Sequence, residues 1–328
     1  MPEQSGRKPN NKVLVVGSFV MDFIVHTSKF PERGETVLGD SFSMAPGGKG
    51  ANQAMQMALL GLDVDMLGKV GSDVNGDILV STIKNAGVNV NQVLRNGSFS
   101  AIGNVQVETD YQGNTENRII VVSGANFEIT DTDIDHLDKQ ISQYQAVVLQ
   151  HEIPLFINKR ICAMAKRHGV KVILNPAPSY ALEEEDYRNI DYLLPNEHEL
   201  LDLVGETGDE RSDFSIESIV RRARILVTRG CPNIIVTLGS RGACWVTAED
   251  YIYENAVQNV VSLDPTAAGD SFIAAFTYAM LSSFSARQSI VFSNYVGALT
   301  VSKKGAQTSL STLKEVQEFI KNYTQEGT

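Results

Sequence analysis

The sequence predicts an α/β fold whose central sheet is mainly parallel, and three observations support this prediction. Short runs rich in β-branched residues alternate with helix-like segments along most of the 328 residues, which is typical of strands joined by helices. A chain of this length allows one or two domains, and α/β folds of similar size often form one. Two stretches interrupt the alternation with apolar–polar patterns. We therefore expect one domain that carries a small additional β-sheet.

The predicted strands and helices alternate along the chain. Residues 12–17 (KVLVVG) are a short β-branched run that is typical of a buried strand. From 269 to about 301 the pattern is almost wholly helical. This order predicts a parallel sheet with helices on both faces. The further predicted strands cover 64–69, 146–150, 170–174, 190–194 and 234–237, and the further predicted helices cover 50–60, 76–86, 155–168, 197–203 and 216–229.

The two interrupting stretches cover 19–42 and 100–122. Apolar and polar residues alternate in both, and turn residues at 33–35 and 112–114 divide them. We interpret these stretches as antiparallel strands set apart from the main sheet. A sheet with one exposed face often covers another part of the molecule with its opposite face.

The predicted organisation is a single domain over 11–328. It carries a β lid built from about 18–44 and 101–123, and the polar residues 1–10 are predicted to be a disordered tail. An exposed β layer is a natural pairing surface, so we expect a homodimer that forms through the lid.

Composition and charge exclude several classes of partner. Apolar residues make up 43% of the chain, charged residues 20%, and the net charge is −11, so we expect neither a nucleic acid nor a membrane surface as a partner. No apolar stretch has a membrane-spanning length, and the N-terminal segment lacks the apolar core of a signal peptide. The cysteines at 162, 231 and 244 form no CxxC pair, which fits a reduced, cytoplasmic compartment. The histidines are scattered, which argues against a histidine-ligated metal site.

The segment 264–270 (DPTAAGD) predicts phosphoryl chemistry. It places a carboxylate after a run of small residues and directly before an apolar, helix-like run at 271–276. Small residues let a backbone approach a phosphate, and a helix N-terminus directs N–H groups and its dipole at an anion. Asp270 could then accept a proton from an attacking hydroxyl. An ordinary turn in which Asp270 caps the helix explains the residues about equally well.

A second glycine-rich segment covers 45–53 (APGGKGANQ) and precedes a predicted helix. Three glycines within four residues are costly unless the backbone must approach a ligand. Lys49 and Asn52 add a cation and an amide, which suit a polyhydroxy ligand. A tight turn between strand and helix is the alternative interpretation. The spacing matches neither GxxxxGK[ST] nor GxGxxG, and residues 18–22 after the first strand hold no glycine, which argues against a nicotinamide-dependent dehydrogenase.

On these residues the chain resembles the PfkB carbohydrate kinase family, in particular its ribokinase-like members. GGKGANQA at 47–54 is similar to the family's N-terminal signature, and DPTAAGDSF at 264–272 is similar to its C-terminal signature. The resemblance runs from about 12 to 320 and implies a three-layer α/β/α sandwich with a mainly parallel central sheet and a small β lid. Further segments match in the family's order, namely NPAP at 175–178, PNEHE at 195–199, TLGSRG at 237–242 and KGAQTS at 304–309.

The resemblance implies roles in the reaction and in sugar binding. Asp270 would be the base that deprotonates the sugar hydroxyl, and Glu152 follows a predicted buried strand, where side chains line the ligand crevice of a parallel sheet. Surface charge is the alternative for Asp22 and Glu152. The implied anion hole consists of the backbone N–H groups of Ala267, Ala268 and Gly269. The implied sugar-binding residues are Asp22, Gly48, Lys49, Asn52, Glu152 and Asp270.

The resemblance also implies a nucleotide site for ATP and Mg²⁺. Asn196 and Glu199 would attend the phosphates and the magnesium ion, largely through water. The same two residues have the spacing of a capping box, and both interpretations can hold. Asn294 would lie near the adenine, although an asparagine on a helix is more often a polar surface residue. The implied nucleotide-pocket residues are Thr237, Leu238, Gly239, Ser240, Arg241 and Gly242, together with Gly269.

A potassium site beside the anion hole is implied as well. Asp264 and Ser309 would contribute side chains, although Asp264 could equally be a turn residue before Pro265. A large, weakly hydrated cation suits several carbonyls of irregular backbone. The implied carbonyl ligands are those of Thr266, Thr300, Lys303 and Gly305.

The activity implied by the resemblance is transfer of the ATP γ-phosphoryl group to a primary sugar hydroxyl, with D-ribose as the leading substrate. Three departures from the family pattern stand at Val20, Pro265 and Ala267. Because the anion hole uses backbone N–H groups, Ala267 can still contribute to it. Some ribokinase-like members carry a polar residue where Val20 stands, so Val20 implies the loss of one sugar contact, and the identity of the sugar stays open. Kinases for fructose, deoxyribose or 2-keto-3-deoxygluconate are alternatives. A non-catalytic sugar-binding regulator would have lost the base or the anion hole, and both are intact in the sequence.

Overall fold

The computed structural model describes residues 11–109, 115–207 and 211–326. The predicted tail over 1–10 and the predicted turn at 112–114 lie outside these ranges. Every helix within them is too short or too polar to cross a membrane.

The described strands form two separate sheets. The large sheet has nine strands in the order β13-β12-β11-β10-β9-β8-β1-β4-β5. All its neighbours pair in parallel except at one edge, where β12 is antiparallel to both β11 and β13. The strands are β1 (Lys12–Val16), β2 (Val20–Thr27), β3 (Ser41–Gly47), β4 (Asp63–Gly71), β5 (Asn89–Gly97), β6 (Ile102–Thr109), β7 (Thr115–Val122), β8 (Ala146–Gln150), β9 (Lys171–Asn175), β10 (Tyr192–Leu193), β11 (Asn233–Thr237), β12 (Ala243–Val246) and β13 (Tyr251–Glu254).

Helices cover both faces of the large sheet, and the interior strand β1 accordingly presents alternate side chains to two separate cores. Leu14 and Val16 pack with apolar residues of α5, α7 and α8. Val13 and Val15 pack on the opposite face with residues of α1, α2, α9 and α10. The predicted three-layer α/β/α arrangement is therefore confirmed. The helices are α1 (Lys49–Leu59), α2 (Val74–Asn85), α3 (Asp131–Ile134), α4 (Leu137–Gln140), α5 (Leu155–Arg167), α6 (Glu184–Arg188), α7 (Glu197–Val204), α8 (Ile216–Thr228), α9 (Ala268–Leu281), α10 (Ala286–Val301) and α11 (Leu313–Glu326).

The sequence missed three strands of the large sheet, namely the two edge strands and the neighbour of one of them. β5 is a polar, partly exposed edge strand that lacks the apolar run of its neighbours. β12 and β13 are each four residues long and form a hairpin on the opposite edge. Short or polar edge strands leave little periodicity in a sequence. The helix α11 was missed as well.

The smaller sheet has the strand order β3-β2-β6-β7. β2 pairs antiparallel with β3, and β6 pairs antiparallel with β7. Between these two hairpins, β2 and β6 are parallel, with Asp22 opposite Gly103, so the prediction of a wholly antiparallel layer was wrong at this pair. The predicted turn at 33–35 is confirmed by a 2.9 Å hydrogen bond from the Glu35 N–H to the Glu32 carbonyl.

Two glycines place α1 against the end of β1. A Cβ at Gly50 would lie 2.5 Å from the backbone nitrogen of Ser18, and one at Gly48 would lie 2.8 Å from that of Val20. Gly48 also has a φ of 95°, in the left-handed region. The close approach that the sequence assigned to a ligand is therefore, at these two positions, an approach to the chain's own backbone.

Candidate active site

The candidate site lies where the carboxyl ends of the central strands meet the N-termini of three helices. Gln150 ends β8, and Asn175 ends β9. The helices α1, α7 and α9 all begin at this end of the sheet. Asn52 of α1 donates a hydrogen bond to Asp270 of α9, and Lys49 of α1 lies near Asp270 and near Glu199 of α7. This end is the usual location of ligands in open α/β sheets.

Asp270 lies in the first turn of α9 and is 8% exposed. Asn52 Nδ2 donates to its Oδ2 at 2.9 Å, and Gln53 Nε2 donates to its Oδ1 at 2.9 Å. Burial raises the pKa of this carboxyl, against the opposing effects of Lys49 and the two amides. Asp270 therefore lies in the environment of a general base rather than of a surface carboxylate.

The start of α9 does not use Asp270 as a cap. The N-cap residue is Ala267, with a φ of 61° and no side-chain capping bond, so the interpretation of Asp270 as an ordinary helix cap was wrong. A Cβ at Gly269 would meet no atom within 4 Å, so the space in front of this residue is open. The Ala268 N–H donates to the Pro265 carbonyl at 3.2 Å. The anion-hole role of these amides stays a prediction.

Lys49 lies among three carboxylates. Burial opposes its charge, but Asp270, Glu152 and Glu199 outweigh that effect and raise the pKa of the ammonium. Glu152 is half-buried, and its Oε2 accepts from Ser18 Oγ at 2.5 Å and from the Lys49 backbone N–H at 3.0 Å. Glu152 is therefore fixed at the edge of the crevice, and its interpretation as surface charge was wrong.

Asp22 faces the same space from the smaller sheet. A Cβ at Gly103 would collide with its Oδ1, and one at Gly47 would lie 3.3 Å from its Oδ2. Burial, together with the charge of Glu152, raises the pKa of Asp22 to about 6. Across the described chain, the buried Asn52 Oδ1 has no hydrogen-bond partner. The structure thus brings together the sequence-predicted sugar residues Asp22, Gly48, Lys49, Asn52, Glu152 and Asp270.

Asn196 and Glu199 form the capping box that their spacing indicates. Asn196 Oδ1 accepts from the backbone N–H of Glu199 at 2.8 Å, and Glu199 Oε2 accepts from the backbone N–H of Asn196 at 2.8 Å. Burial raises the pKa of Glu199 even though the Asn196 N–H and Lys49 oppose it. Asn196 also forms a backbone bridge to Thr237. The cap therefore joins two segments assigned to the nucleotide.

The segment from Thr237 to Gly242 forms a tight turn after β11. Leu238 is buried, whereas Gly239 and Ser240 are exposed. The Arg241 guanidinium bonds to the Glu197 carboxylate, so this side chain is fixed within the protein.

Asn294 is 8% exposed, so its interpretation as a polar surface residue was wrong. Its Nδ2 donates to the carbonyls of Glu254 and Asn255 at 3.4 and 3.1 Å. The side chain therefore fastens α10 to the segment that follows β13.

The residues assigned to a potassium site lie on two segments, 264–266 and 300–309, that Asp264 joins. Its Oδ1 accepts from the Thr266 N–H at 2.9 Å, and its Oδ2 accepts from the Gly305 N–H at 2.8 Å. Although burial opposes the charge, these hydrogen bonds hold the pKa of Asp264 below its usual range. The Thr300 carbonyl accepts from the Lys303 N–H at 3.1 Å. The side chain of the buried Ser309 donates to the Ala306 carbonyl at 2.7 Å.

Sequence reasoning missed three buried amides behind Asp270. Gln53 Nε2 donates to Asn175 Oδ1 at 3.3 Å, and Gln150 Nε2 donates to Gln53 Oε1 at 2.6 Å. Gln150 and Asn175 are the last residues of buried strands. Sequence analysis assigned Glu152 to the crevice partly because it follows such a strand. The same argument about strand ends could have found Gln150 and Asn175.

The raised pKa of the half-buried Asp22 leads to a prediction about stability. Because the folded-state pKa lies above that of an ordinary Asp, the folded protein favours the protonated form, and stability is lost as pH rises toward and through about 6. We expect Asp22→Asn, which mimics the protonated form, to raise Tm by roughly 2–5 °C at pH 8 and by much less at pH 4. Thermal unfolding at several pH values measures this, with the exposed Asp40→Asn as control. A Tm difference that does not grow with pH would contradict the assignment.

Comparison with known proteins identifies relatives that match almost the whole chain. A ribokinase of Lactococcus lactis is 34% identical over 311 residues, which cover 94% of this chain and 97% of that protein. A deoxyribokinase of Salmonella typhi is 33% identical over 310 residues, which cover 94% of this chain and 98% of that protein.

Solved structures have the same fold. The structure of Arabidopsis thaliana ribokinase complexed with ribose and ATP matches with a TM-score of 0.85 at 30% identity, covering 95% of this chain and 99% of that one. A ribokinase from Thermotoga maritima matches with a TM-score of 0.81 at 31% identity, covering 94% and 99%. The family model described as pfkB family carbohydrate kinase matches residues 10–313. The chain therefore belongs to the pfkB family of carbohydrate kinases.

Proposed function

We propose that the enzyme transfers the γ-phosphoryl group of ATP to the primary O5 hydroxyl of D-ribose. The observation that carries this proposal is the buried Asp270 at the start of α9, held by Asn52 and facing Lys49 and Glu152. The similarity to ribokinases, among them one solved with ribose and ATP, supports ribose as the sugar.

In the proposed reaction Asp270 accepts the proton of the sugar hydroxyl. The hydroxyl oxygen then forms a bond to the γ-phosphorus, and the bond from that phosphorus to the β–γ bridging oxygen breaks, which releases ADP. The N–H groups at 267–269 would stabilise the charge on the transferring group. Lys49 offsets part of the repulsion between the carboxylates and the incoming phosphates.

The proposed sugar contacts combine acceptors and donors in a half-buried space. The carboxylates of Asp22 and Glu152 would accept hydrogen bonds from sugar hydroxyls, and Asn52 Oδ1 supplies a further buried acceptor. Gly48 and Lys49 are the remaining proposed sugar-binding residues. Because buried polar groups are costly when unpaired, such a site should reject ligands that lack the matching hydroxyls.

The proposed nucleotide site combines residues of α7, α10 and the turn that follows β11. Asn196 and Glu199 would contact the phosphates and Mg²⁺, largely through water. One or two carboxylates suffice to hold Mg²⁺ because the ion keeps much of its water shell. The turn over 237–242 would line the pocket, with Gly269 at the phosphates and Asn294 near the adenine. The use of ATP and three unpaired cysteines are consistent with a cytoplasmic enzyme.

Deoxyribose is the second candidate sugar, because the deoxyribokinase of Salmonella typhi is about as similar to the chain as the ribokinases are. The two sugars differ by one hydroxyl. A site that pairs this hydroxyl with Asp22, Asn52 or Glu152 would discriminate strongly between them.

A coupled ATPase assay with ribose, 2-deoxyribose, fructose and 2-keto-3-deoxygluconate tests the proposal. We expect the highest kcat/KM with ribose. We expect Asp270→Asn to lower kcat by roughly two to four orders of magnitude with little change in sugar affinity, since the variant keeps the size of the side chain but cannot accept the proton. A higher kcat/KM with 2-deoxyribose, or near-normal turnover of Asp270→Asn, would contradict the proposed substrate or the proposed base respectively.

We further propose a potassium site adjoining the anion hole. Asp264 and Ser309 would contribute side chains, together with the carbonyls of Thr266, Thr300, Lys303 and Gly305. The hydrogen bonds of Asp264 to both loops support this proposal, since they bring the carbonyl-bearing segments together.

Activity should therefore rise when potassium replaces sodium, and Asp264→Ala should weaken this dependence. Initial rates in the two chlorides at matched ionic strength measure the effect, with choline chloride as the control for ionic strength. Equal wild-type rates in sodium and potassium would rule out the site.

The smaller sheet is proposed to be a lid that closes on the sugar and, in a homodimer, a pairing surface. Asp22 belongs to this sheet and faces the site. The edge strand β7 is exposed along its whole length, including Ile119, Ile120 and Val121. A second copy of the chain would cover this apolar surface.

Hydrogen exchange tests the lid. Sugar should slow amide exchange in 18–44 and in 101–123 together, because both hairpins would close over it. Nucleotide alone should act mainly near 237–242 and 264–270. If sugar leaves exchange in 101–123 unchanged, the two segments do not form one lid.

A further inference from the structure

Gln53 is a fully buried residue of α1 whose amide bonds to Asp270 but which none of the proposed contacts to sugar, nucleotide or cations uses. Its Nε2 donates to Asp270 Oδ1 at 2.9 Å and to Asn175 Oδ1 at 3.3 Å. Its Oε1 accepts from Gln150 Nε2 at 2.6 Å. All the hydrogen-bonding groups of this amide are therefore engaged.

The surrounding amides settle which end of Gln53 faces the base. Asn175 Nδ2 donates to the Leu194 carbonyl at 3.1 Å, which leaves Asn175 Oδ1 to accept from Gln53. Gln150 presents its Nε2 to Gln53 Oε1. A rotated Gln53 amide would place its oxygen against both the Asp270 carboxylate and Asn175 Oδ1, which are acceptors. The amide therefore has one satisfied orientation, with its donor toward Asp270.

We propose that Gln53 is a positioning residue, which holds the Asp270 carboxylate in the orientation and charge state that a general base needs. The inference rests on the proposed function, in which Asp270 is that base. Through Gln53, the first turn of α9 is connected to the carboxyl ends of β8 and β9, so Asp270 is joined to two buried strands of the sheet. Asn52, in contrast, holds the other carboxylate oxygen and also belongs to the proposed sugar site.

The charges around Asp270 explain why a neutral donor matters there. Lys49 from α1 favours the ionised carboxyl, whereas Glu152, which follows β8, disfavours it. Glu199 from α7 also lies within electrostatic range of Asp270. Burial raises the pKa of Asp270, and the amides of Asn52 and Gln53 counteract this effect. Removing the Gln53 donor should therefore raise the pKa of the base further.

The same helix offers a matched control. Gln56 is also fully buried in α1, and its amide makes two hydrogen bonds, to the Ser311 carbonyl at 2.8 Å and from the Ser311 N–H at 3.1 Å. Gln53→Met and Gln56→Met each replace a buried amide by an apolar side chain of similar length. Only the first removes a contact to Asp270.

We expect Gln53→Met to lower kcat by roughly tenfold to a hundredfold while KM for the sugar changes by less than about threefold. We also expect the acidic limb of its kcat–pH profile to move to higher pH by about one unit. Gln56→Met should retain the wild-type acidic limb. An acidic limb that is unchanged in Gln53→Met, or shifted equally in both variants, would overturn the proposal.

Two further measurements keep the test decisive. If Gln53→Met does not fold, Gln53→Glu keeps the volume and an acceptor for Gln150 but places a second carboxyl against Asp270, and it should move the acidic limb in the same direction. If the wild-type protein phosphorylates no sugar, the proposed function fails. The pKa of Asp270, followed by carboxyl ¹³C NMR in the ligand-free protein and assigned with Asp270→Asn, then tests Gln53 alone. Equal values in Gln53→Met and Gln56→Met would refute the contact's role.

Discussion

A buried carboxylate at the start of α9 is the constraint on which the arrangement of the site depends. Asp270 is almost fully withdrawn from water, so its charge requires a cation and hydrogen-bond donors close by. Lys49, Asn52 and Gln53 provide these, and all three belong to the first turns of α1. The position of this one helix therefore determines the electrostatic environment of Asp270.

The glycines before α1 are part of the same constraint. Gly50 brings the helix against the backbone at Ser18, whose hydroxyl in turn bonds to Glu152. A side chain at this position would move α1 away from the sheet, and with it the donors to Asp270. The short glycine-rich segment thus determines the position of the helix that carries Lys49, Asn52 and Gln53.

Sequence analysis predicted most of the large sheet, because buried strands leave continuous apolar runs. The residues that the structure brings together around Asp270 were implied by the family resemblance, and the position of Glu152 directly after a buried strand argued against surface charge there. The amide network of Gln53, Gln150 and Asn175 was not predicted, because its bonds join residues that lie far apart in the chain. The parallel pairing of β2 and β6 was not predicted for the same reason. A local sequence pattern identifies a strand but does not identify the strand that pairs with it.

The pairing of β2 with β6 has a consequence for the order in which the protein folds. The two strands are separated in the chain by β3, α1, β4, α2 and β5, so their register cannot be established by a local turn. Closing so long a loop costs entropy that only the packed α/β core can offset. We therefore expect the layer that carries Asp22 to assemble late, on a core that is already formed, with each hairpin reaching its place as a separate unit.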